Sequence, residues 1–315
     1  MTRTAPAPTT SRQSSLQLQF VADAGRTTLR HRHAGDLRVL ASLYPEAAQV
    51  CHQVLVHPPG GLVGGDVVAV AAQLGRGAHA LVTTPGATRF YRSTGAHSVQ
   101  TLDARLEADA RLEWLPLETL AYRGCLAENR SRFDLAPGAE LFAWDLLSLG
   151  LPASGAAFDA GRFTQHLEFP GVWLERGRID ASDSALRQGL GGLSGRSAVA
   201  TLVYACGTPI PPARRDAMLE AARELGASPV LAGAMNRAPT TIPLVSQAVE
   251  GAMNRASTPI LPVLAGATSP HPQLVVARAI ADRIEPLALL LRRVWGVWRQ
   301  IAWNLPPCPP RIWAT

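Results

Sequence analysis

From Leu16 onward, apolar and polar positions alternate along the chain with a period close to two, in short runs such as LQLQFVA, RVLASLY, QVCHQVLVH, DVVAVAA, AHALVTT, HSVQTLDARLEA and RLEWLP. A period of two sends successive side chains to opposite faces of a strand, and the Gly, Pro and Asp residues between the runs supply turns. The pattern continues through SRFDL, ELFAWDLLSL, RFTQHLEF, VWLERGRID and AVATLVYA. The intervals leave no room for crossover helices. The expected class is therefore mainly β, with a large body of antiparallel strands about 190 residues long.

The period changes only late in the chain. PPARRDAMLEAARELG opens on prolines, repeats Met218, Leu219, Ala222 and Leu225 at helical spacing, and stops at Gly226, predicting a helix near 212–225. A second helix is expected over 284–303, with Pro286 in its first turn. Leu287, Leu291, Val294, Trp298 and Ile301 form its apolar stripe, while Arg292, Arg299 and Gln300 fall toward the other side. Between the helices GAMNRA occurs twice, at 233–238 and 251–256. Two copies are too few for a solenoid, so they read as a local duplication lengthening a surface loop. The final PPCPPRIWAT places Arg311 and Trp313 on a proline-stiffened tail. Residues 1–15 are polar without an apolar signal core and read as a disordered leader, leaving 16–315 as one domain.

Composition narrows the chemistry. With 47% hydrophobic and 17% charged residues, the 315-residue chain has the balance of a folded protein. Its net charge of +6 resides at the ends: residues 1–40 carry six Arg against two acids, residues 281–315 five against two, and the middle is near neutral. Basic ends suit an acidic protein partner as well as a polyanion, and no arginine run is interleaved with aromatics. Every basic residue is Arg, which removes a P-loop lysine, a Schiff-base lysine and a lysine general base together. The four cysteines are dispersed without a C-x-x-C pair, so neither a zinc ribbon nor a disulfide framework is indicated. PLALLLRRVWGVWRQIAW is broken by Arg292, Arg293 and Arg299 and does not read as a membrane span. The expectation is a cytoplasmic protein.

The densest candidate motif is HPPGGLVGGD, His57–Asp66. It is not a phosphate loop, because Asp66 and Val67 occupy the positions of the lysine and hydroxyl, and no helix follows. GGLSGRS fails the G-x-S-x-G elbow because Gly195 directly follows Ser194. The histidines at 31, 33, 52, 57, 79, 97, 166 and 271 are scattered without an H-E-x-x-H cluster, and a lone His in a β-body is usually structural. Weak ligands along a wet channel would escape such a test. Locally, His57, Pro58, Pro59, Gly60 and Gly61 end a strand with a stiff step and a turn. Gly64 and Gly65 allow positive φ or close backbone approach, and Asp66 can cap the turn. Two other function classes stay open at this point: a metal-dependent hydrolase using His57 and Asp66, and a basic nucleic-acid-binding protein.

HPPGGLVGGD, then TTPGATRFYRS at 83–93 with Pro85, Gly86, Arg89 and Tyr91, then LEWLPLET at 112–119, ELFAWDLLSLG and the terminal PPRIWAT, taken in this order, resemble the urease accessory protein family UreD, also called UreH. The match runs from about residue 16 to the C-terminus. The resemblance implies a mostly β fold with two helices and a non-enzymatic maturation factor. Such a factor binds UreF, recruits the GTPase UreG through it, in a dimeric complex with both, and docks on apo-urease to assist nickel insertion. It implies no tightly bound cofactor, only nickel in transit, and no nucleic-acid or membrane partner. Carried over by motif, the candidate residues of an internal nickel passage are Asp66, Thr88, Asp145 and Glu175. Their plain structural alternatives are turn caps for Asp66 and Asp145 and an Arg partner for Glu175. Trp295, Trp298 and Trp313 are candidates for either core or a UreF contact. The chain departs from the family's G-R-x-x-x-G-E, with Leu151 and Ala156 in place of Arg and Glu.

Overall fold

The computed structural model describes residues 11–227 and 263–314. Two sheets and a layer of helices are stacked on one another. The first sheet has seven strands in the order β15 (Trp173–Asp180), β14 (Arg162–Phe169), β11 (Leu126–Leu135), β8 (Ser98–Leu106), β5 (Val67–Leu74), β1 (Gln13–Asp23) and β2 (Arg26–Ala34). The main path of the second is β17 (Leu264–His271), β18 (Leu274–Ala281), β16 (Ala198–Cys206), β12 (Glu140–Leu151), β9 (Arg111–Trp114), β6 (His79–Thr83), β4 (Val50–Val56) and β3 (Arg38–Val39). Three short strands join it off this path: β10 (Thr119–Ala121) and β13 (Ala156–Ala157) pair with β12, and β7 (Thr88–Phe90) pairs with β10.

The mainly β class holds, but the sheets are mixed rather than purely antiparallel. β1, β5, β8, β11 and β14 are parallel neighbours, as are β4, β6, β9 and β12. From β4 to β14 the chain steps back and forth between the two sheets, so each parallel connection is made by a strand of the opposite sheet. Parallel neighbours need a crossover, and here no helix provides it. Antiparallel pairing occurs in β1/β2, β3/β4, β14/β15, the short β12/β13 pair and the run β12/β16/β18/β17.

Both late helices form where the apolar stripes place them: α2 (Pro212–Ala227) and α3 (Ile284–Trp303), preceded by the single-turn α1 (Ser184–Gln188), which Asp183 caps at the Leu186 N–H, 2.9 Å away. α3 stops where Asn304 adopts a left-handed φ of 53° and donates to the Gln300 carbonyl. β1 begins at Gln13, inside the expected leader. Residues 1–10 and both GAMNRA copies lie outside the described residues. Among the described residues no helix is long and apolar enough to cross a membrane.

The second sheet is buried on both faces, and period-two alternation sorts its side chains into two cores. Leu112, Leu141, Ala143 and Val203 face the first sheet. Leu81, Phe142, Trp144, Leu202 and Tyr204 face the helices, where Leu287, Leu291, Val294, Trp295 and Trp298 of α3 meet them. Each large apolar side chain buried there stabilises the fold by about 1.5–3 kcal/mol. The stripe of α3 is thus core. So is Trp313, whose Nε1 donates to Thr83 Oγ1 at 2.9 Å and whose ring centre lies 5.0 Å from Trp144 and 5.6 Å from Trp295. The prolines before it fold the C-terminus back onto the helix-covered face.

Two carboxylates, one fully buried and one partly buried, fasten α3 to this sheet. Glu113 of β9, fully buried, accepts hydrogen bonds from Trp295 Nε1 at 2.7 Å and Arg299 Nε at 3.1 Å, and lies 2.9 Å from His79 Nε2. Arg299 also reaches Glu46 at 2.5 Å, and Glu46 lies 2.7 Å from His52. Glu140 of β12 accepts from Tyr204 at 2.7 Å, from Arg214 at 2.9 Å and from Trp303.

Candidate functional site

A cavity of about 240 Å³ lies between the two sheets. Val68, Val70, Leu102 and Phe133 supply apolar wall from the first sheet, and Ala143 and Val203 from the second. The loops His57–Leu62 and Thr84–Arg89 complete it. Three of the four residues suggested for a passage line this space, namely Thr88, Asp145 and Glu175. So do His57, Gly60, Gly61, Pro85, Gly86 and Arg89 of the two glycine-proline motifs.

Asp145 is the polar centre. On β12 the positions facing the first sheet read Leu141, Ala143, Asp145, Leu147, so one carboxylate interrupts an otherwise apolar row. Asn129 Nδ2 of β11 donates to Asp145 Oδ2 at 3.0 Å, and Gln100 Nε2 of β8 donates to Asn129 Oδ1 at 3.4 Å, a polar ladder spanning the gap between the sheets. Burial pushes the Asp145 carboxyl up to about 6, against hydrogen bonds from Gln165 and Asn129 that favour the charged form; the charge of Glu175 adds to the rise. Glu175, on β15, is 40% exposed and pairs with Arg278, whose guanidinium sits 5.8 Å from the centre of the Trp173 ring. The cavity therefore holds one sheltered carboxylate and one near the surface. Thr88 begins β7 and is held by its N–H donating to the Glu118 carbonyl at 2.9 Å.

Asp66 does not line the cavity. It is 3% exposed, and its two carboxylate oxygens accept the Arg12 N–H at 2.8 Å and the Val63 N–H at 3.0 Å, which makes it a turn cap and the clamp on the strand entering the body. The rest of the motif is built for close approach. Gly60 N–H donates to the His57 carbonyl at 2.9 Å, closing a turn over Pro58 and Pro59. Leu62 then exchanges backbone hydrogen bonds with Arg89 and Tyr91 at 2.7 and 2.9 Å, so the two motifs lie side by side. A Cβ on Gly61 would overlap the Tyr91 ring, and one on Gly64 would overlap Ser93. Arg89 Nη1 donates to the Gly60 carbonyl at 3.2 Å. His57 is half-buried, and desolvation lowers its pKa.

Leu151 and Ala156 are direct cross-strand partners in the β12/β13 pair. The two positions at which the sequence departs from the resemblance thus form an apolar pair in register. Gln100, Asn129 and Gln165 carry no motif signal. They are found only by asking which polar positions of β8, β11 and β14 point toward the other sheet, a question that needs the sheet order. Among the described residues no three His, Cys, Asp or Glu side chains are grouped to hold a metal ion.

Fold and cavity together define a layered β-scaffold with an internal chamber, whose carboxylates are spaced singly rather than gathered into a ligand set. The sequence model of the UreD urease accessory protein family matches residues 12–314, and the chain belongs to that family. It is 51% identical to the urease accessory protein UreD of Paracidovorax citrulli, over 95% of this chain and 98% of that one. It is 48% identical to that of Albidiferax ferrireducens, over 96% and 98%, and 46% identical to that of Variovorax paradoxus, over 95% and 98%.

Proposed function

We propose that this chain acts in the cytoplasm as a non-catalytic scaffold in urease maturation. It binds apo-urease and UreF, and UreG through UreF, and it passes nickel along its internal cavity. The observation carrying the nickel step is that Thr88, Asp145 and Glu175, distant in sequence, line one cavity in a member of this family. Nickel is cargo in this reading. Isolated carboxylate and hydroxyl oxygens hold a hydrated divalent ion weakly enough to release it, whereas a converging ligand set would trap it. Asp66 leaves the proposed route, since both its oxygens are committed to backbone N–H groups.

The test is nickel content of urease co-expressed with Asp145→Asn or Glu175→Gln, alongside recovery of the UreF complex. Loading should fall while the complex is retained. Loading that stays at the wild-type level in both variants would remove the passage and leave the scaffold role standing. Absence of any complex with a co-expressed UreF would remove the scaffold role. A hydrolase centred on His57 and Asp66 predicts stoichiometric metal and ester or amide turnover by the isolated chain; neither is expected here.

A further inference from the structure

The side of the body formed by β2 and the stretch after it is rich in arginine and histidine, with Arg26, Arg30, His31, Arg32, His33 and Arg38. β2 is the outermost strand of the first sheet, and beyond Thr27, whose N–H donates to the Ala48 carbonyl at 3.0 Å, its outer edge pairs with no other strand among the described residues. From Arg30 to Ala34 every residue is exposed on both faces. The chain then turns and runs back beside it. Arg38 Nη1 lies 3.1 Å from His33 Nδ1, and the Tyr44 hydroxyl donates to the Thr27 carbonyl at 2.8 Å. Residues 38–44 are at the same time the edge of the second sheet, with Leu40 and Leu43 N–H donating to Val54 and His52 carbonyls, both at 3.0 Å. The edges of both sheets thus meet along one side, with Leu40 and Leu43 50% and 56% exposed between them.

Positive charge gathers on this side: Arg26, Arg30, Arg32 and Arg38 lie within thirteen residues of one another, and none of them forms a salt bridge with a carboxylate among the described residues. Arg26 lies over the Tyr44 ring, 4.0 Å from its centre. Of the nearby acids, Asp36 pairs with Arg12 and Glu46 with Arg299 and His52, and Asp23 lies at the hairpin end opposite Arg26, away from Arg30, Arg32 and Arg38. Nor does the chain hold a complement in its undescribed stretches: residues 1–10 contain no acid, and 228–262 contain one Glu against two Arg.

We propose that this double edge docks an acidic, extended segment of another protein, which adds a strand to β2, sets its carboxylates against Arg30, Arg32 and Arg38, and covers Leu40 and Leu43. An unpaired strand edge offers donors and acceptors that only another peptide backbone matches in register, which favours a protein over a nucleic acid or a membrane. Like charge disfavours a second copy meeting β2 to β2. Arginines on an edge can also serve simply to prevent aggregation, and in that case they bind nothing.

The experiment uses the full chain and a fluorescent peptide alternating Glu and Val, matched to β2 in length. Its Lys/Val counterpart, a single-stranded oligonucleotide and anionic phosphatidylglycerol vesicles serve as comparisons. The Glu/Val peptide should bind saturably, slow amide exchange at Leu29–His33, and lose about 10-fold or more in affinity in the Arg30→Glu/Arg32→Glu variant. These side chains are exposed, so circular dichroism and Tm should not change in that variant; Leu40→Ser/Leu43→Ser should weaken binding independently. Asp145→Asn should leave it unaffected, separating this surface from the cavity. No binding of the acidic peptide, equal affinity in the charge-reversed variant, or tighter binding of the oligonucleotide or vesicles overturns the proposal.

Discussion

Asp145 and Asp66 are both aspartates in glycine- or tryptophan-flanked motifs, yet their surroundings give them opposite roles. Asp145 has few hydrogen-bond donors and a low-dielectric wall, so its folded pKa of about 6 lies above the ordinary 3.8. The unfolded chain loses this proton first. Stability from this group is therefore greatest below about pH 4, falls as pH rises through the window from about 4 to 6, and stays reduced at neutral pH by on the order of 3 kcal/mol. Asp145→Asn should raise Tm at pH 7.5 and lose that advantage at pH 4, while urease nickel loading moves the other way. A carboxylate with only a structural role would not couple a stability gain to a loading loss. Asp66 should behave in the reverse sense. Asp66→Ala strips acceptors from the Arg12 and Val63 N–H groups, and should cost about 2–4 kcal/mol in denaturant unfolding without selectively affecting loading. The AWD and GGD motifs point to both residues equally. What separates them is which face of the strand or turn each occupies, and that depends on register.

At the scale of elements, the alternation that reveals the strands also conceals how they are arranged. Spacing between runs shows only that no helix intervenes, and a strand in the opposite sheet satisfies the geometry of a parallel crossover as well as a hairpin satisfies an antiparallel one. The helices, by contrast, were legible to within a few residues because proline, glycine and a 3.6-residue stripe are local signals. Glu113 lies between these cases. In RLEW it occupies the polar position of an alternating strand, which reads as solvent-facing, but α3 covers that face and converts the position into a buried anchor. Its removal would leave Arg299 buried with one fewer carboxylate. Glu113→Ala should thus destabilise by about 3–5 kcal/mol in urea unfolding, and Arg299→Met by a similar amount. Because the two act on one ion pair, the double variant should lose clearly less than the sum.

For the whole molecule, the placement of the cavity separates two duties that the fold performs at once. The helix-side core, with its tryptophans and buried ion pairs, holds the C-terminus to the second sheet. The inter-sheet core is where packing is interrupted, by about 240 Å³ around Asp145. Protein interiors are normally close-packed, and a void in an apolar core costs stability in proportion to its volume. A chain that keeps such a space, with a raised-pKa carboxylate on its wall, retains a feature that folding alone would remove. Filling it should then cost little stability and affect only transport. Ala143 lies on the cavity wall of β12, facing the first sheet, with room beyond its methyl. Ala143→Leu should leave Tm within about 5 °C of wild type. It should keep recovery of the UreF complex and still lower the nickel content of co-expressed urease. Loss of the complex together with loading would instead mean that the two sheets must adjust around the cavity for partners to bind, tying the scaffold and the passage to one motion of the inter-sheet core.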